Sequence, residues 1–262
     1  MNLYWVTVCH MATRVMGVAQ TRLEETVTKR ELESIKRGVI VNHLYPLEEC
    51  EKFIWQWAID WKFEYRKPKV NLGGHGGQSF GIHALGEISD EDLVFVIDPD
   101  SYPRSKGWFT AAVEALKADP ELGAVSLMPA WVHGNFFWRQ NKYAYGEPPR
   151  EVRVGFLPHS EMWNMTAFKA KVLKRGMLAE RSHYGFVEQA MWEHFREMGL
   201  KHGYLLDYFE DQNPEPHDEL YTQWKAEHAF AKDPRNFDEW VEAKRPKVPK
   251  IDPRQQPLPG IV

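Results

Sequence analysis

Apolar and polar residues fall into blocks of two lengths along the chain, and these blocks predict strands and helices in turn. Short apolar runs predict strands at 3–9, 38–42, 92–98, 123–128 and 203–208. Longer segments with apolar residues at helical spacing predict helices at 21–36, 47–61, 108–118, 169–175, 185–198 and 220–231. Strands that alternate with helices indicate an α/β fold with a mostly parallel sheet and helices on both faces.

The strand at 92–98 ends in two aspartates separated by a proline, Asp98-Pro99-Asp100. The run before them is unbroken and rich in β-branched and aromatic residues, which predicts a strand buried on both faces. Carboxylates that follow such a strand emerge at the carboxyl edge of the sheet, where open α/β folds bind ligands. Two of them suit a hard divalent cation that neutralises a nucleoside diphosphate. An ordinary turn is the alternative, because proline is common in turns.

A dense group of glycines lies upstream of this strand, at 71–78. Glycine lets a backbone approach a ligand closely and turn where a side chain would clash. The segment therefore predicts a loop, and a short helix follows it at 82–86.

The order of these features resembles the nucleotide-sugar-binding half of family 2 glycosyltransferases, which have the GT-A fold (Rossmann-like). In that family an Asn-x-Gly loop, a helix of small residues and an apolar strand precede an Asp-x-Asp (DxD) motif, as in the stretch 71–102 here. Residues 163–168 are similar to the family's Asn-x-Ala-Phe strand. Counted back from Gly199, Glu188 takes the place of the second acid of the family's acidic motif, and Val187 replaces the first. The resemblance covers residues 1–210.

The resemblance implies a metal-dependent glycosyltransferase. Such an enzyme moves a hexosyl or pentosyl group from a nucleoside-diphosphate sugar, with a UDP-sugar favoured, to an acceptor hydroxyl. Asp100 would hold Mn²⁺ or Mg²⁺ on the diphosphate, and Asp98 would serve the ribose and, indirectly, the metal. Glu188 would take the proton from the attacking hydroxyl. Direct displacement of this kind inverts the anomeric centre, whereas retention is possible if Glu188 only orients the acceptor.

A third metal ligand is predicted from loop position and ligand chemistry. His217 lies in a proline-stiffened loop after the strand at 203–208, and a neutral imidazole can complete an oxygen-rich shell around manganese. Asp211 and Asp218 are the nearby alternatives, and a solvent-exposed His217 without such a role is equally compatible with the sequence.

The remaining site residues fall into a donor group and an acceptor group. Residues at or just after the carboxyl ends of the predicted strands, in the glycine-rich segment and in the loop before Glu188 are assigned to the nucleotide sugar: Thr7, His10, Arg14, Asn42, Asn71, Gly73, Gly76, Gln78, Asp98, Asp100 and Arg181. His10 is as compatible with a structural role. Aromatic residues near the irregular stretch 129–160 are assigned to the acceptor: Trp131, His133 and Trp163.

Composition and charge indicate the kind of partner and the compartment, but not the reaction. The net charge is −4, with acids and bases interspersed, so nothing demands a polyanionic partner. Cys9 and Cys50 form no disulfide framework, and no signal peptide or transmembrane run is recognisable, so we expect a cytoplasmic protein.

We expect one domain over 1–242, with a nucleotide-sugar half at 1–103 and an acceptor half at 104–242. A basic, proline-rich tail follows at 243–262.

Other functions remain open. The acceptor is a carbohydrate, a lipid, a small molecule or a modified DNA base. A phage-type enzyme that glycosylates a hydroxymethylated base would need a positive face beside the cleft. A non-catalytic nucleotide-sugar-binding protein would have no reason to keep Asp98, Asp100 and Glu188 together. A nucleotidyltransferase fits poorly, because residues 10–17 lack the glycine-rich basic loop expected after the first strand.

Overall fold

The computed structural model describes residues 1–9, 13–42, 48–69, 72–129, 152–156, 164–173 and 194–212. The strands are β1 Leu3–Cys9, β2 Ile35–Asn42, β3 Glu64–Arg66, β4 Leu93–Ile97, β5 Ser101–Pro103, β6 Leu122–Pro129, β7 Val154–Gly155, β8 Met165–Lys169 and β9 Lys201–Gln212. The helices are α1 Thr13–Thr26, α2 Lys29–Ser34, α3 Glu48–Asp60, α4 Gly73–Ala84, α5 Trp108–Ala118 and α6 Ala170–Leu173. Residues 194–197 are also helical.

These strands form one sheet in the order β3-β2-β1-β4-β8-β6-β9-β5, with β7 added on β9. The pairs β1–β2, β1–β4, β2–β3 and β6–β9 are parallel, and every antiparallel pair described involves β5, β7 or β8. Thr7 of β1 pairs with Ile40 and with Ile97, so the carboxyl ends of β1, β2 and β4 reach the same edge. The α/β fold class predicted from the sequence is confirmed.

Helices cover both faces of this sheet, as predicted. One core cluster joins the sheet to α1, α3 and α5, and the other joins it to α4 and α6. Trp5 lies at the centre of the first cluster, where its ring contacts those of Trp61, Trp108 and Phe95 at centroid distances of 5.6, 6.2 and 6.0 Å. Aromatic pairs of this kind each stabilise a core by about 0.5–1.5 kcal/mol beyond the area they bury. Among the tryptophans that the structure describes, Trp5, Trp57, Trp61 and Trp108 are buried and therefore serve packing.

The glycine-rich segment corrects one prediction. Residues 73–84 form α4 rather than a loop. A Cβ atom on Gly81 would lie 2.5 Å from Cγ1 of Val6 and 3.1 Å from Cγ2 of Val41. Since real Cβ atoms do not approach other atoms so closely, glycine at this position lets the helix backbone pack directly on β1 and β2.

The predicted helix at 21–36 is also wrong in its bounds. The structure has α1 ending at Thr26 and a separate α2 that begins after Thr28. The Thr28 side chain accepts a hydrogen bond from the backbone of Glu31, whose side chain accepts from the backbone of Thr28. This capping box starts a new helix at the point where a continuous one was predicted.

Cys9 and Cys50 are both buried and form no disulfide, and burial raises the pKa of the Cys9 thiol. No helix in the described ranges has the length and apolar character needed to cross a membrane. The predicted helix at 220–231 and the tail at 243–262 lie outside the described residues.

Candidate functional site

Asp98 and Asp100 lie directly after β4, at the edge where the parallel strands end. The backbone N–H of Asp98 donates to the carbonyl of Asn164 (2.7 Å), and the backbone N–H of Ser101 donates back to the carbonyl of Asp98 (3.3 Å). Asp98 is half-buried, and Asp100 is 2% exposed. The turn thus holds two carboxylates at the carboxyl edge of the sheet, as the sequence predicts.

A third acid, Glu210, lies near this turn. It is 1% exposed, and β9 places it opposite Pro103 of β5. Burial raises its pKa well above the usual range, and the nearby charges of Asp98 and Asp100 raise it further. The side chain of Asn164 donates a hydrogen bond to it. Its Oε2 atom is buried, and no described residue donates to that atom.

Sequence reasoning did not identify Glu210. The signal available was weak: Glu210 directly follows the mostly apolar run 204–209, in which Asp207 is already one acid. Only the pairing of β5 with β9 brings it near residues 98 and 100, because these positions are far apart in the sequence.

Asp211, an alternative metal ligand, already has a partner in the structure. Arg104 donates to both of its carboxylate oxygens at 2.7 Å. In the ranges that the structure describes, no set of three or more His, Cys, Asp or Glu side chains is arranged to hold a metal ion. Asp98, Asp100 and Glu210 therefore lie near one another without forming such a set, and the predicted ligand His217 lies outside the described residues.

A second polar group lies at the end of β2. Asn42 is fully buried and donates through Nδ2 to the hydroxyl of Tyr65 (3.1 Å). Tyr65 donates to Oε1 of Glu51 (3.2 Å), whose Oε2 accepts from Nζ of Lys67 (2.6 Å). The hydrogen bond from Lys67 lowers the pKa of Glu51, which is therefore ionised. We call Asn42, Tyr65, Glu51 and Lys67 the Asn42 network.

The other donor-side residues lie around these two groups. Thr7 is buried, and its hydroxyl accepts from Nε1 of Trp5 (2.8 Å). Arg14 lies in the first turn of α1. Gly73 begins α4, and Gly76 and Gln78 lie further along its first half. A helix that follows a parallel strand begins at the carboxyl edge of the sheet, so this end of α4 lies on the side of Asn42 and Asp98.

The remaining predicted residues lie outside the described ranges: His10, Asn71, Trp131, His133, Trp163, Arg181, Glu188 and His217. Their roles stay predictions, as do the roles of the donor-side residues above.

No protein-family model matches this sequence, and no curated protein sequence matches it significantly. Solved structures do match its fold. The mannosyltransferase PcManGT from Pyrobaculum calidifontis, in complex with GDP-Man and Mn²⁺, is 13% identical over 86% of this chain, with a TM-score of 0.59. GalNAc-T7, with UDP, GalNAc and Mn²⁺, is 11% identical over 81% of this chain, with a TM-score of 0.56.

Glucosyl-3-phosphoglycerate synthase from Mycobacterium tuberculosis, with Mn²⁺, UDP-glucose and phosphoglyceric acid, is 13% identical over 84% of this chain, with a TM-score of 0.53. The match covers 74% of that synthase, but only 60% of the mannosyltransferase and 44% of GalNAc-T7. Identities this low establish architecture alone. The parallel strands with the acidic turn after β4, and the likeness to these three enzymes, show that this chain has the GT-A glycosyltransferase fold.

Proposed function

We propose that this chain is a metal-dependent glycosyltransferase that moves a sugar from a nucleoside-diphosphate sugar to an acceptor hydroxyl. The observation that carries the proposal is the position of Asp98 and Asp100. They follow the central strand β4 at the carboxyl edge of a GT-A sheet, and the buried acid Glu210 lies near them. Open α/β sheets bind ligands at this edge.

The acids near this turn fit a divalent cation. Burial raises the pKa of Glu210, and the nearby carboxylates of Asp98 and Asp100 raise it further, as expected where acids lie close together. With its pKa raised in this way Glu210 keeps its proton, and its buried Oε2 has no hydrogen-bond partner among the described residues. Mn²⁺ and Mg²⁺ prefer oxygen ligands. Asp98 and Asp100 would hold the ion, and His217 is the proposed third ligand. When bound, it offsets charge that develops on the departing nucleoside diphosphate.

The donor is proposed to be a nucleoside-diphosphate sugar, with a UDP-sugar favoured. Its nucleotide would lie along the carboxyl edge from Asn42, past the start of α4, to the turn at Asp98. Support comes from the similar folds, which were solved with GDP-Man, with UDP or with UDP-glucose. The favoured uridine rests on the family resemblance described from the sequence.

We propose that residues in the second half of the chain carry out the transfer step and bind the acceptor. Glu188 takes the proton from the acceptor hydroxyl as that oxygen attacks the anomeric carbon, and the bond to the diphosphate breaks. A single displacement of this kind inverts the anomeric centre. Trp131, His133 and Trp163 bound the acceptor, since aromatic faces offer apolar contact to sugar C–H groups. Arg181 pairs with the diphosphate.

The described residues supply no observation that favours a DNA-base acceptor or binding without catalysis, so we propose one function. A donor panel tests it. The full chain is incubated with UDP-, GDP- and CDP-sugars with and without Mn²⁺, and hydrolysis and nucleoside-diphosphate binding are measured.

We expect Mn²⁺-dependent binding and slow hydrolysis of at least one nucleotide sugar. Asp100→Asn should remove the dependence on Mn²⁺, while Asp60→Asn, at an exposed acid that ends α3, should keep it. If wild-type protein binds no nucleoside diphosphate more tightly with Mn²⁺ than with a chelator, the proposal is wrong.

A further inference from the structure

The hydrogen bonds of the Asn42 network permit only one orientation of the Asn42 amide. Glu51 is ionised beside Lys67, so its carboxylate accepts and cannot donate. A tyrosine hydroxyl has a single proton, and burial raises the pKa of Tyr65, so that proton stays and points at Glu51. The Tyr65 oxygen can then only accept from Asn42. The Asn42 atom that faces Tyr65 must therefore be the nitrogen.

This orientation turns the carbonyl oxygen of Asn42 away from Tyr65. That atom, Oδ1, is buried, and no described residue donates a hydrogen bond to it. Buried acceptors without a donor destabilise a protein, so they are rare unless a ligand or water supplies the donor. Asn42 is the last residue of β2 and pairs with Cys9 at the end of β1. The unsatisfied acceptor thus lies at the carboxyl edge, two strands from the turn at Asp98.

Building on the proposed function, we propose that Tyr65 is a positioning residue that directs Oδ1 of Asn42 to the base of the nucleotide donor. The site would then select a base whose ring nitrogen carries a proton. Uracil and guanine carry such an N–H group, whereas cytosine and adenine present a bare acceptor at the corresponding ring position. Two acceptors that face each other gain no hydrogen bond and repel.

The Asn42 network fixes the orientation of the Asn42 amide, because each member determines the protonation or orientation of the next. Lys67 keeps Glu51 ionised, Glu51 fixes the proton of Tyr65, and Tyr65 prevents the amide of Asn42 from rotating by half a turn. Without Tyr65, the amide could present either its oxygen or its nitrogen, and the two classes of base would be bound alike.

The first measurement compares UDP, GDP, CDP and ADP by calorimetry with Mn²⁺ and the full chain. We expect UDP or GDP to bind about tenfold more tightly than CDP and ADP, the effect of one good hydrogen bond. In Tyr65→Phe this ratio should fall to about threefold or less. Tyr4→Phe is the control, because Tyr4 is a buried tyrosine of the core on the other face of the sheet, whereas Tyr65 is partly buried against the first core cluster. It should keep the wild-type ratio.

A second variant separates positioning from damage to the fold. A carboxylate has two equivalent acceptor oxygens and needs no orientation, so Asn42→Asp combined with Tyr65→Phe should restore the preference for a ring N–H. A Tyr65 that only supports packing would give no such rescue. An unchanged base preference in Tyr65→Phe, or a wild-type preference for CDP or ADP, would overturn this inference and leave the proposed function standing. Absence of Mn²⁺-dependent binding of all four nucleotides would overturn both.

Discussion

Arg104 and Asp211 form a two-point ion pair that ties β5 to β9 next to the acidic turn. Nε and Nη2 of Arg104 each lie 2.7 Å from a different carboxylate oxygen of Asp211. The two side chains are 30% and 20% exposed. The backbone N–H of Arg104 also donates to the carbonyl of Phe209 (2.9 Å), the residue before Glu210. The pair therefore fixes the strand that carries Glu210 beside the turn.

Removal of Arg104 should destabilise the protein measurably. A planar guanidinium on a partly buried carboxylate is stronger than an exposed ion pair, and its loss leaves Asp211 without this partner. We expect Arg104→Met to lower the free energy of unfolding by about 1–3 kcal/mol in urea denaturation. Arg22→Met removes an arginine from the more exposed pair with Glu25 and should cost less. Equal losses in the two variants would show that the Arg104 pair contributes no more than a surface contact.

His202 should make stability depend on pH. Its Nε2 lies 2.8 Å from Oγ of Ser126, and its ring contacts those of Phe195 and Tyr204. Burial lowers its pKa to about 3. In the unfolded chain the pKa of histidine is about 6.5. Between these values the unfolded state binds the proton and the folded state does not. The stability is therefore complete above pH 6.5 and is lost as pH falls toward 3.

The measurement is urea denaturation at several pH values between 5 and 7.5. For the wild type we expect the His202 contribution to fall by about 1 kcal/mol for each pH unit below 6. His202→Gln, which cannot titrate, should give a flatter curve, and His83→Gln, at an exposed site on α4, should follow the wild type. Three parallel curves would contradict the assignment.

Local sequence patterns were sufficient to predict the helices and strands whose buried residues recur at regular spacing. The helix predicted at 108–118 is found as α5 Trp108–Ala118, and the strand before Asp98 is found as β4 Leu93–Ile97. Both carry uninterrupted or regularly spaced apolar residues that face a core. The glycine-rich α4 was mispredicted because its structure depends on close packing against Val6, which composition does not show.

The parts of the site that depend on strand pairing could not be predicted. Tyr65 reaches Asn42 only because β3 pairs in parallel with β2, with Tyr65 opposite Ile40. Glu210 lies near the acidic turn only because β5 pairs with β9. The short strands β3 and β5 have no apolar pattern of their own. Their pairing partners and registers therefore cannot be predicted from the sequence.

Glu188 is predicted to act as the general base. Glu188→Gln should retain Mn²⁺-dependent donor binding, because the side chain would act on the acceptor and not on the diphosphate. It should lower the turnover number by about a hundred- to ten-thousand-fold, the usual contribution of a general base. Calorimetry with donor nucleotide and a transfer assay measure the two effects separately. Glu87→Gln, at an exposed position after α4, should leave both unchanged. Near wild-type turnover in Glu188→Gln would assign the base to another residue.

His217 is predicted to be the third protein ligand of the metal. The imidazole would add a nitrogen ligand to the carboxylates of Asp98 and Asp100. Loss of groups that merely support a metal ligand commonly lowers affinity 10–100-fold, so His217→Ala should weaken Mn²⁺ binding by about tenfold or more. Mn²⁺ binding in the presence of UDP is measured by electron paramagnetic resonance, which reports free ion directly. His83→Ala, at an exposed histidine of α4, is the control and should bind Mn²⁺ as the wild type does. Unaltered Mn²⁺ affinity in His217→Ala would remove His217 from the site and leave Asp218 as the next candidate, since Asp211 is already paired with Arg104.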